Sequence, residues 1–188
     1  QALVMCPTRE LADQVTTEIR RLARATANIK VVTLCGGVAL RGQEQSLQHG
    51  AHVVVGTPGR ILDHLTRGNL RLDSVKTLVL DEADRMLDMG FFDDIAQLIR
   101  QCPAKRQTLL FSATYPQGIA KLSAQFMHQP QTVKVQTVHA AEKIKQLFYE
   151  VREDERLHAV SLLLNHFRPE STLAFCNTKQ QCRELLAV

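Results

Sequence analysis

The sequence lacks several features that would assign it to a membrane, secreted or zinc-binding class. It has no tryptophan, no CxxC pair and no apolar run near the roughly 20 residues that a membrane-spanning helix requires. No signal peptide is recognisable, and the cysteines are odd in number, so neither a disulfide framework nor a zinc site is expected. This cysteine usage is typical of a reducing cytoplasm, where we expect the protein to act without a membrane partner.

A phosphate-binding loop is also missing from the sequence. Such a loop has the form GxxxxGK[ST], and no Gly-Lys pair occurs among the 188 residues. Gly36-Gly37 cannot replace it, because no lysine follows to reach a terminal phosphate. The sequence opens on Gln1 within a predicted strand rather than on a methionine, so we expect an internal part of a longer protein.

The charge balance is only weakly basic. The formal net charge is +4, and the whole excess lies within residues 1–135. A basic excess can indicate a nucleic-acid partner, but a solvated basic surface of this size would look the same. Charge alone therefore does not assign a partner.

The sequence does contain a regular alternation of short apolar runs and helical patterns. This alternation favours an α/β fold, in which a parallel sheet carries helices on both faces. Strands are predicted at Ala2–Met5, Val31–Leu34, Val53–Val55, Thr77–Leu80 and Thr108–Phe111. Apolar residues at helical spacing predict a helix between the first two strands, and later helices are predicted at Gly59–Thr66, Asp93–Arg100 and Gln117–Met127.

A change of pattern divides the chain into two parts. Val133–Val135 would close a first domain at residues 1–135, and the polar stretch 136–145 is typical of a linker. Residues 146–188 then begin a second α/β pattern. The elements predicted within it are strands at Phe148–Val151 and Thr172–Cys176 and a helix at Glu153–Phe167.

Polar or glycine-containing motifs follow all five predicted strands of the first domain. If these strands are parallel, the motifs meet at one edge of the sheet, where open α/β folds bind their ligands. Carboxylates at such an edge can hold a hydrated magnesium ion and orient a water against a phosphate. In chain order the motifs are Pro7–Ala12 (PTRELA), Gly36-Gly37, Thr57–Arg60 (TPGR), Asp81–Asp84 (DEAD) and Ser112–Thr114 (SAT).

In this order and spacing, the motifs resemble those of the DEAD-box RNA helicase family, over essentially the whole chain. Leu34–Gly37, Asp81–Phe91 and Phe175–Lys179 are further similar to the bacterial DbpA type. The resemblance implies a RecA-like first domain, incomplete at its start, followed by the beginning of a second RecA-like domain. It also implies ATP and Mg²⁺ as cofactors and RNA as the partner, either single-stranded or a short duplex. For the DbpA type it implies ribosomal RNA or a pre-ribosomal particle as the target.

The resemblance implies specific roles for the acids and for the hydroxyl groups. Asp81 would hold Mg²⁺ through water, and Glu82 would position or activate the attacking water. Asp84 would link its motif to Ser112 and Thr114, which couple the nucleotide state to strand separation. Considered alone, the acids could be solvated carboxylates or favourable charges at a helix N-terminus, and the two hydroxyls could cap the helix that follows Pro116.

The remaining matched positions imply binding of RNA along its backbone. Glycine lets a ligand approach the chain closely, arginine binds phosphate through a planar fork, and helix N-termini offer free N–H groups. Such contacts give affinity with little sequence information. Taken singly, Gly36-Gly37 could be only a turn, and Arg9 a surface or capping residue. The implied RNA-binding residues are Pro7, Thr8, Arg9, Gly36, Gly37, Thr57, Pro58, Gly59, Arg60, Asn177 and Thr178.

Three functional hypotheses stay open at this point. The leading one is an ATP-dependent RNA helicase whose two domains close on RNA around a hinge at residues 136–145. A non-catalytic RNA-binding or partner-binding module with a degenerate nucleotide site is favoured by the missing loop but disfavoured by Glu82, Ser112 and Thr114. A DNA-directed helicase is the third. Because the phosphate-binding loop and the late arginine motifs of the family are missing, we expect these 188 residues alone to hydrolyse ATP negligibly.

Overall fold

The computed structural model describes residues 1–135 and 145–187. The chain forms two compact units, Gln1–Val133 and Lys134–Val188. The predicted linker at residues 136–145 lies outside the described residues, apart from its last residue. Within the described part of the chain, no helix is long and apolar enough to cross a membrane.

The first unit is built on a five-stranded sheet in which every neighbouring pair of strands is parallel. The strand order is β2-β3-β1-β4-β5. The predictions for the first four strands are confirmed, with one residue added to β3, whereas β5 begins and ends one residue earlier than predicted. The strands are β1 (Ala2–Met5), β2 (Val31–Leu34), β3 (Val53–Gly56), β4 (Thr77–Leu80) and β5 (Gln107–Leu110).

Six α-helices and one 3₁₀ turn at Ala23–Ala25 connect and cover these strands. Local signals explain two of their starts: the Thr8 hydroxyl accepts a hydrogen bond from the backbone N–H of Leu11 at 3.3 Å, and Pro58 occupies the first turn of its helix. Two short helices were not predicted, because neither carries a long apolar period. The six are α1 (Arg9–Leu22), α2 (Leu40–Leu47), α3 (Pro58–Thr66), α4 (Ala83–Asp88), α5 (Phe92–Arg100) and α6 (Gln117–Phe126).

The sheet buries apolar side chains on both faces. Along β1, Leu3 and Met5 join one core while Val4 joins the other, as the alternation of side chains along a strand requires. The smaller core packs against α1, whose Ala12 is fully buried there. The larger core includes residues of helices α2 to α6, and each Leu or Ile buried in it contributes roughly 2 kcal/mol.

The carboxyl ends of the five strands lie in register. Met5 pairs with both Gly56 and Leu80, Leu34 pairs with Gly56, and Leu80 pairs with Leu110. The five motifs that follow these residues therefore start from one edge of the sheet, as predicted. The strand order also sorts them: the motifs after β2, β3 and β1 occupy one half of the edge, and those after β4 and β5 occupy the other.

The second unit contains helices but no strand among its described residues. Its helices are a short 3₁₀ turn at Glu153–Glu155, α7 (Arg156–Phe167) and α8 (Lys179–Leu186). The strands predicted at Phe148–Val151 and Thr172–Cys176 are wrong, because neither segment forms a strand.

The two errors have the same physical reason. An apolar run becomes a strand only when a neighbouring strand accepts and donates its backbone hydrogen bonds, and a stable sheet needs about three strands. Phe148 and Phe175 are 91% and 88% exposed, so no apolar layer covers the predicted pair. The start of a second RecA-like sheet is therefore not formed in the described residues.

Candidate functional site

The acidic motif begins directly after β4 and is held on both sides by its neighbouring strands. The backbone N–H of Asp81 donates to the carbonyl of Met5 at 2.9 Å, and that of Ala83 donates to the carbonyl of Phe111 at 3.0 Å. Glu82 lies between these two anchors with an exposed side chain. One carboxylate is therefore fixed close to the sheet while the next projects to solvent, an arrangement suited to binding and then acting on a polar ligand.

Glu82 has a left-handed backbone, with φ of 47° and ψ of 52°. A non-glycine residue in this region carries strain of about 1–3 kcal/mol, which persists only when the surrounding structure imposes it. Here the turn from β4 into α4 is imposed by the flanking hydrogen bonds, and the Asp81 Oδ1 oxygen accepts a further one from the Glu82 N–H at 3.0 Å. Strain of this kind is concentrated at functional sites.

Buried sulfur adjoins the acids. Burial, followed by the negative charge of Asp81, raises the pKa of the Cys6 thiol to about 12. Cys6 is fully buried and stays a neutral thiol at physiological pH. It therefore packs as a small apolar residue in the smaller core.

Asp84 joins the acidic motif to the SAT motif. Its Oδ2 oxygen accepts hydrogen bonds from the Thr114 N–H at 3.0 Å and from the Thr114 hydroxyl at 2.7 Å. The Ser112 hydroxyl donates to the Thr114 carbonyl at 2.7 Å and accepts from the Asp84 N–H at 3.3 Å. Partial burial raises the pKa of Asp84, but the hydrogen bonds from Thr114 and Ser112 outweigh it, so the pKa lies below its ordinary value.

These bonds decide between two interpretations of the hydroxyls. Helix α6 begins after Pro116, and no side chain in the described residues makes a capping hydrogen bond to its first turn. Ser112 and Thr114 are therefore not caps. Their side chains instead tie the ends of β4 and β5 together across 28 to 30 residues of sequence.

On the other half of the edge, Arg9 and Gly37 lie against each other. Gly37 has φ of 72°, and a β-carbon placed on it would lie 3.4 Å from the Arg9 Nη1 atom. A side chain here would be strained by the backbone and would crowd the guanidinium. Arg9 is exposed at the start of α1, and its Nε atom lies 3.8 Å from an Asp13 carboxylate oxygen. The guanidinium is thus held loosely and can reach an anion.

Arg60 contacts the next residue of the same loop. Its Nη1 atom donates to the carbonyl of Val38 at 3.1 Å and to the Gln43 Oε1 oxygen at 3.0 Å. The loop that carries Gly36-Gly37 therefore adjoins two arginines, one from the PTRELA motif and one from the TPGR motif. Two guanidinium groups beside glycine-rich backbone form a track suited to a chain of phosphates.

The other predicted RNA-binding residues of this unit differ in what they offer. Pro7 and Pro58 are buried, so they shape the backbone rather than present a side chain. Thr8 caps α1 through its hydroxyl. Thr57 precedes α3 without capping it through any described contact, and Gly59 lies in the first turn, where free N–H groups favour an anion.

Asn177 and Thr178 lie in the second unit, at the start of α8. The Thr178 hydroxyl accepts from the Gln181 N–H at 3.1 Å, and the Gln181 side chain accepts from the Thr178 N–H at 3.2 Å, which is a complete capping box. The same Gln181 oxygen accepts from the Asn177 N–H at 3.0 Å. Both residues therefore have a structural role at this helix start.

Comparison with known proteins assigns this constellation. A family model described as DEAD/DEAH box helicase matches residues 1–122. The chain belongs to the DEAD/DEAH box helicase family. The ATP-dependent RNA helicase DbpA of Escherichia coli (strain K12) is 52% identical over 183 residues, which cover 97% of this chain and 40% of that protein.

Other helicases of the family are similar over the same region. The ATP-dependent RNA helicase CshA of Listeria monocytogenes is 46% identical over 186 residues, covering 98% of this chain and 36% of that protein. The crystal structure of a DEAD box protein from the hyperthermophile Methanococcus jannaschii aligns with a TM-score of 0.68 and 39% identity, over 100% of this chain and 50% of that chain. The chain therefore spans about two fifths of these curated helicases and half of the solved one.

Membership of the helicase family explains the fold and the motifs but not every residue at the edge. Gly56, at the end of β3, belongs to no predicted motif, yet a β-carbon on it would lie 2.1 Å from the Leu34 carbonyl oxygen. Only glycine lets the ends of β2 and β3 approach this closely. Its position at the end of an apolar run, directly before the TPGR motif, was the signal available in the sequence.

Gln43 and His64 were also missed. Gln43 is 7% exposed, His64 is fully buried, and the His64 Nε2 atom lies 2.9 Å from the Gln43 Oε1 oxygen. Burial, followed by the positive charge of Arg60, lowers the pKa of His64, which stays neutral. No spacing in the sequence links these residues, because their contact depends on how α2 and α3 pack.

The residues present fit a magnesium ion held mainly by water. Mg²⁺ prefers hard oxygen ligands and usually keeps several waters, using one or two carboxylates with substrate phosphates. Among the described residues no cluster of three or more His, Cys, Asp or Glu side chains forms a metal cage. Asp81 presents a carboxylate whose Oδ2 oxygen has no hydrogen-bond partner in the described part of the chain, which suits a water-mediated contact.

Proposed function

We propose that the protein is an ATP-dependent RNA helicase, an enzyme that couples ATP binding and hydrolysis to local separation of short RNA duplexes. The observation that supports this most directly is the set of hydrogen bonds between Asp84 and Thr114. A module that had lost its ATPase would have no need of a link between its acidic motif and a second edge motif. Family membership and the named relatives point the same way.

The acidic motif would carry out the hydrolysis. Asp81 would hold Mg²⁺ through water, and the bound ion would neutralise charge on the phosphates of ATP. Glu82 would orient the attacking water and accept its proton, since its exposed carboxylate projects from a fixed and strained backbone. Asp84 would transmit a change at this motif to Ser112 and Thr114 through the hydrogen bonds between them.

The other half of the edge would bind RNA. Arg9 and Arg60 would contact phosphates on either side of the Gly36-Gly37 loop, and the free N–H groups at the start of α3 would add a third anion contact. All of these groups recognise the backbone, so affinity would depend on salt and little on sequence. The separation of this RNA track from the acidic motif follows from the strand order.

The complete cycle would involve both units and the whole parent protein. ATP would draw two RecA-like domains together on RNA around residues 136–145, with Asn177 and Thr178 adding backbone contacts from the second domain. We also propose ribosomal RNA or a pre-ribosomal particle as the target, supported by similarity to DbpA. A cytoplasmic location is supported by five cysteines without a CxxC pair.

The direct test of the ATPase is phosphate release by the full-length protein with and without a single-stranded oligoribonucleotide. RNA should stimulate release, and Glu82→Gln should lower the stimulated rate at least 100-fold, as loss of a general base does. Glu18→Gln, an exposed change on α1, is the matched control and should leave the rate unchanged. RNA binding without any ATP hydrolysis would instead favour a non-catalytic RNA-binding module.

The 188 residues by themselves should release phosphate negligibly in the same assay. They contain no Gly-Lys pair and so no lysine-bearing phosphate loop. RNA-stimulated phosphate release by these residues alone, abolished by Glu82→Gln, would overturn this expectation.

A further inference from the structure

A buried glutamine, Gln43, contacts both the Gly36-Gly37 loop and the TPGR motif of the proposed RNA track. Both polar atoms of the Gln43 side chain, which projects from α2, are hydrogen-bonded. The amide Nε2 donates to the Cys35 carbonyl at 2.9 Å, and Oε1 accepts from Arg60 and His64. Cys35 directly precedes Gly36-Gly37, and Arg60 belongs to the TPGR motif. One side chain therefore contacts both segments.

The hydrogen-bond pattern fixes the orientation of every group involved. Because the amide nitrogen must donate to the Cys35 carbonyl, the oxygen of Gln43 faces Arg60 and His64 and can only accept. The Nε2 atom of His64 must then carry the proton. The His64 Nδ1 atom, buried and without a partner in the described residues, is left as a bare lone pair of a neutral ring.

The same pattern orients Arg60. The Nη1 atom of an arginine carries two hydrogens, and here both are used, by the Val38 carbonyl and by Gln43. The Nε and Nη2 atoms have no partner among the described residues. The fork that these two nitrogens form is the edge of a guanidinium that binds a phosphate through two parallel hydrogen bonds.

We propose that Gln43 is a positioning residue for RNA binding. It holds the free fork of Arg60 and the Gly36-Gly37 loop in one fixed relation, without itself touching RNA. This inference rests on the proposed function, in which Arg60 and the loop contact the RNA backbone. Burial of Gln43 supports it, since a 7% exposed side chain cannot reach a ligand and must act through its partners.

The test uses the full-length protein and a fluorescein-labelled single-stranded oligouridylate, with affinity measured by anisotropy at several salt concentrations. Gln43→Met keeps the length of the side chain and removes its hydrogen bonds. We expect the affinity for RNA to fall about fivefold, as loss of one hydrogen bond between Arg60 and a phosphate predicts. The slope of the logarithm of the association constant against the logarithm of the salt concentration should become shallower by about 0.7. This is the value for one phosphate contact with a single strand.

The salt slope separates positioning from folding. A variant that merely destabilises the protein does not change the number of phosphates contacted, so its slope stays that of the wild type. Arg60→Met should make the salt slope shallower by the same amount. The double variant Arg60→Met/Gln43→Met should show no further decrease in slope or affinity, because the two changes act through one contact. Gln45→Met, an exposed change on the same helix, should bind RNA like the wild type.

Conservative variants complete the design. Gln43→Glu keeps an acceptor for Arg60 but cannot donate to the Cys35 carbonyl, so it should show the same shallower slope as Gln43→Met. If Gln43→Met no longer melts cooperatively, Gln43→Asn carries the same test, because its shorter side chain cannot span Cys35 and Arg60 together.

Two results would overturn the inference while leaving the proposed function intact: a wild-type slope for folded Gln43→Met or Gln43→Asn, or losses from Gln43→Met and Arg60→Met that add. Failure of the wild-type protein to bind RNA would overturn the proposed function itself, and the inference with it.

Discussion

Thr114 donates two hydrogen bonds to the Oδ2 oxygen of Asp84, one from its backbone N–H at 3.0 Å and one from its hydroxyl at 2.7 Å. The two residues are 30 positions apart and follow adjacent parallel strands. A movement of the acidic motif must therefore either move the SAT motif or break these bonds. The pair therefore couples the acidic motif to the SAT motif at the sheet edge.

Replacing Thr114 by valine should weaken this link without changing the shape of the side chain. The backbone bond stays and the hydroxyl bond is lost, so the free energy of unfolding should fall by about 1 kcal/mol. Urea titration followed by circular dichroism measures the change. Thr132→Val removes an exposed hydroxyl with no described partner and should leave the midpoint unchanged.

The contribution of the Asp84–Thr114 pair to the free energy of unfolding should decrease as the pH falls. The pKa of Asp84 lies below its ordinary value of 3.8, so the charged form is favoured in the folded protein. The stabilisation is fully present above pH 3.8 and is lost as pH falls through the lower folded value. The difference in unfolding free energy between wild type and Thr114→Val should be constant from pH 7 to pH 5 and shrink below pH 3.8. A difference that grows on acidification would contradict this assignment.

The strained backbone at Glu82 should make the glycine variant at this position more stable than the alanine variant. Both substitutions remove the carboxylate, but only glycine adopts φ of 47° at low cost. Glu82→Gly should be about 1 kcal/mol more stable than Glu82→Ala. The order must reverse at Glu18 in the middle of α1, where Glu18→Gly should be about 1 kcal/mol less stable than Glu18→Ala. Equal stabilities of the two Glu82 variants would show that this backbone is not strained.

Gly56→Ala should be among the most damaging small substitutions in the first unit. The new methyl group would lie 2.1 Å from the Leu34 carbonyl oxygen, so β2 and β3 must separate at their carboxyl ends, at a cost of about 3 kcal/mol. Gly42→Ala on α2, where nothing lies within 4 Å, should instead stabilise by up to about 1 kcal/mol. Thermal melting of both variants measures the contrast, and a tolerated Gly56→Ala would mean that the two strand ends can separate freely.

Local sequence patterns were sufficient to predict the strands of the first unit. Val31–Leu34 and Thr77–Leu80 are short apolar runs bounded by polar residues, and both are strands with the predicted bounds. The predicted parallel pairing also located the edge that carries the motifs, because parallel strands bring the residues that follow them together. The same patterns failed at Phe148–Val151 and Thr172–Cys176, because strand formation depends on a partner that a local pattern does not contain.

The site showed a similar limit. Asp81, Glu82, Asp84 and Thr114 could be found from the sequence, because they belong to two short motifs that each follow a predicted strand. The partly buried contact between Gln43 and Arg60 spans 17 positions and depends on the packing of α2, a helix too polar to be predicted. The left-handed backbone of Glu82 also has no sequence signature, since glycine or asparagine is the usual residue there.

The most direct test of the account is strand separation by the full-length protein with a short RNA duplex in excess over enzyme. We predict that the wild type separates many duplexes per enzyme and only when ATP is present. Glu82→Gln, which should bind ATP and RNA but not complete hydrolysis, should separate no more than about one duplex per enzyme. Absence of ATP-dependent separation by the wild type, or equal multiple turnover by Glu82→Gln, would contradict the assignment of this protein as an RNA helicase driven by the acids at the end of β4.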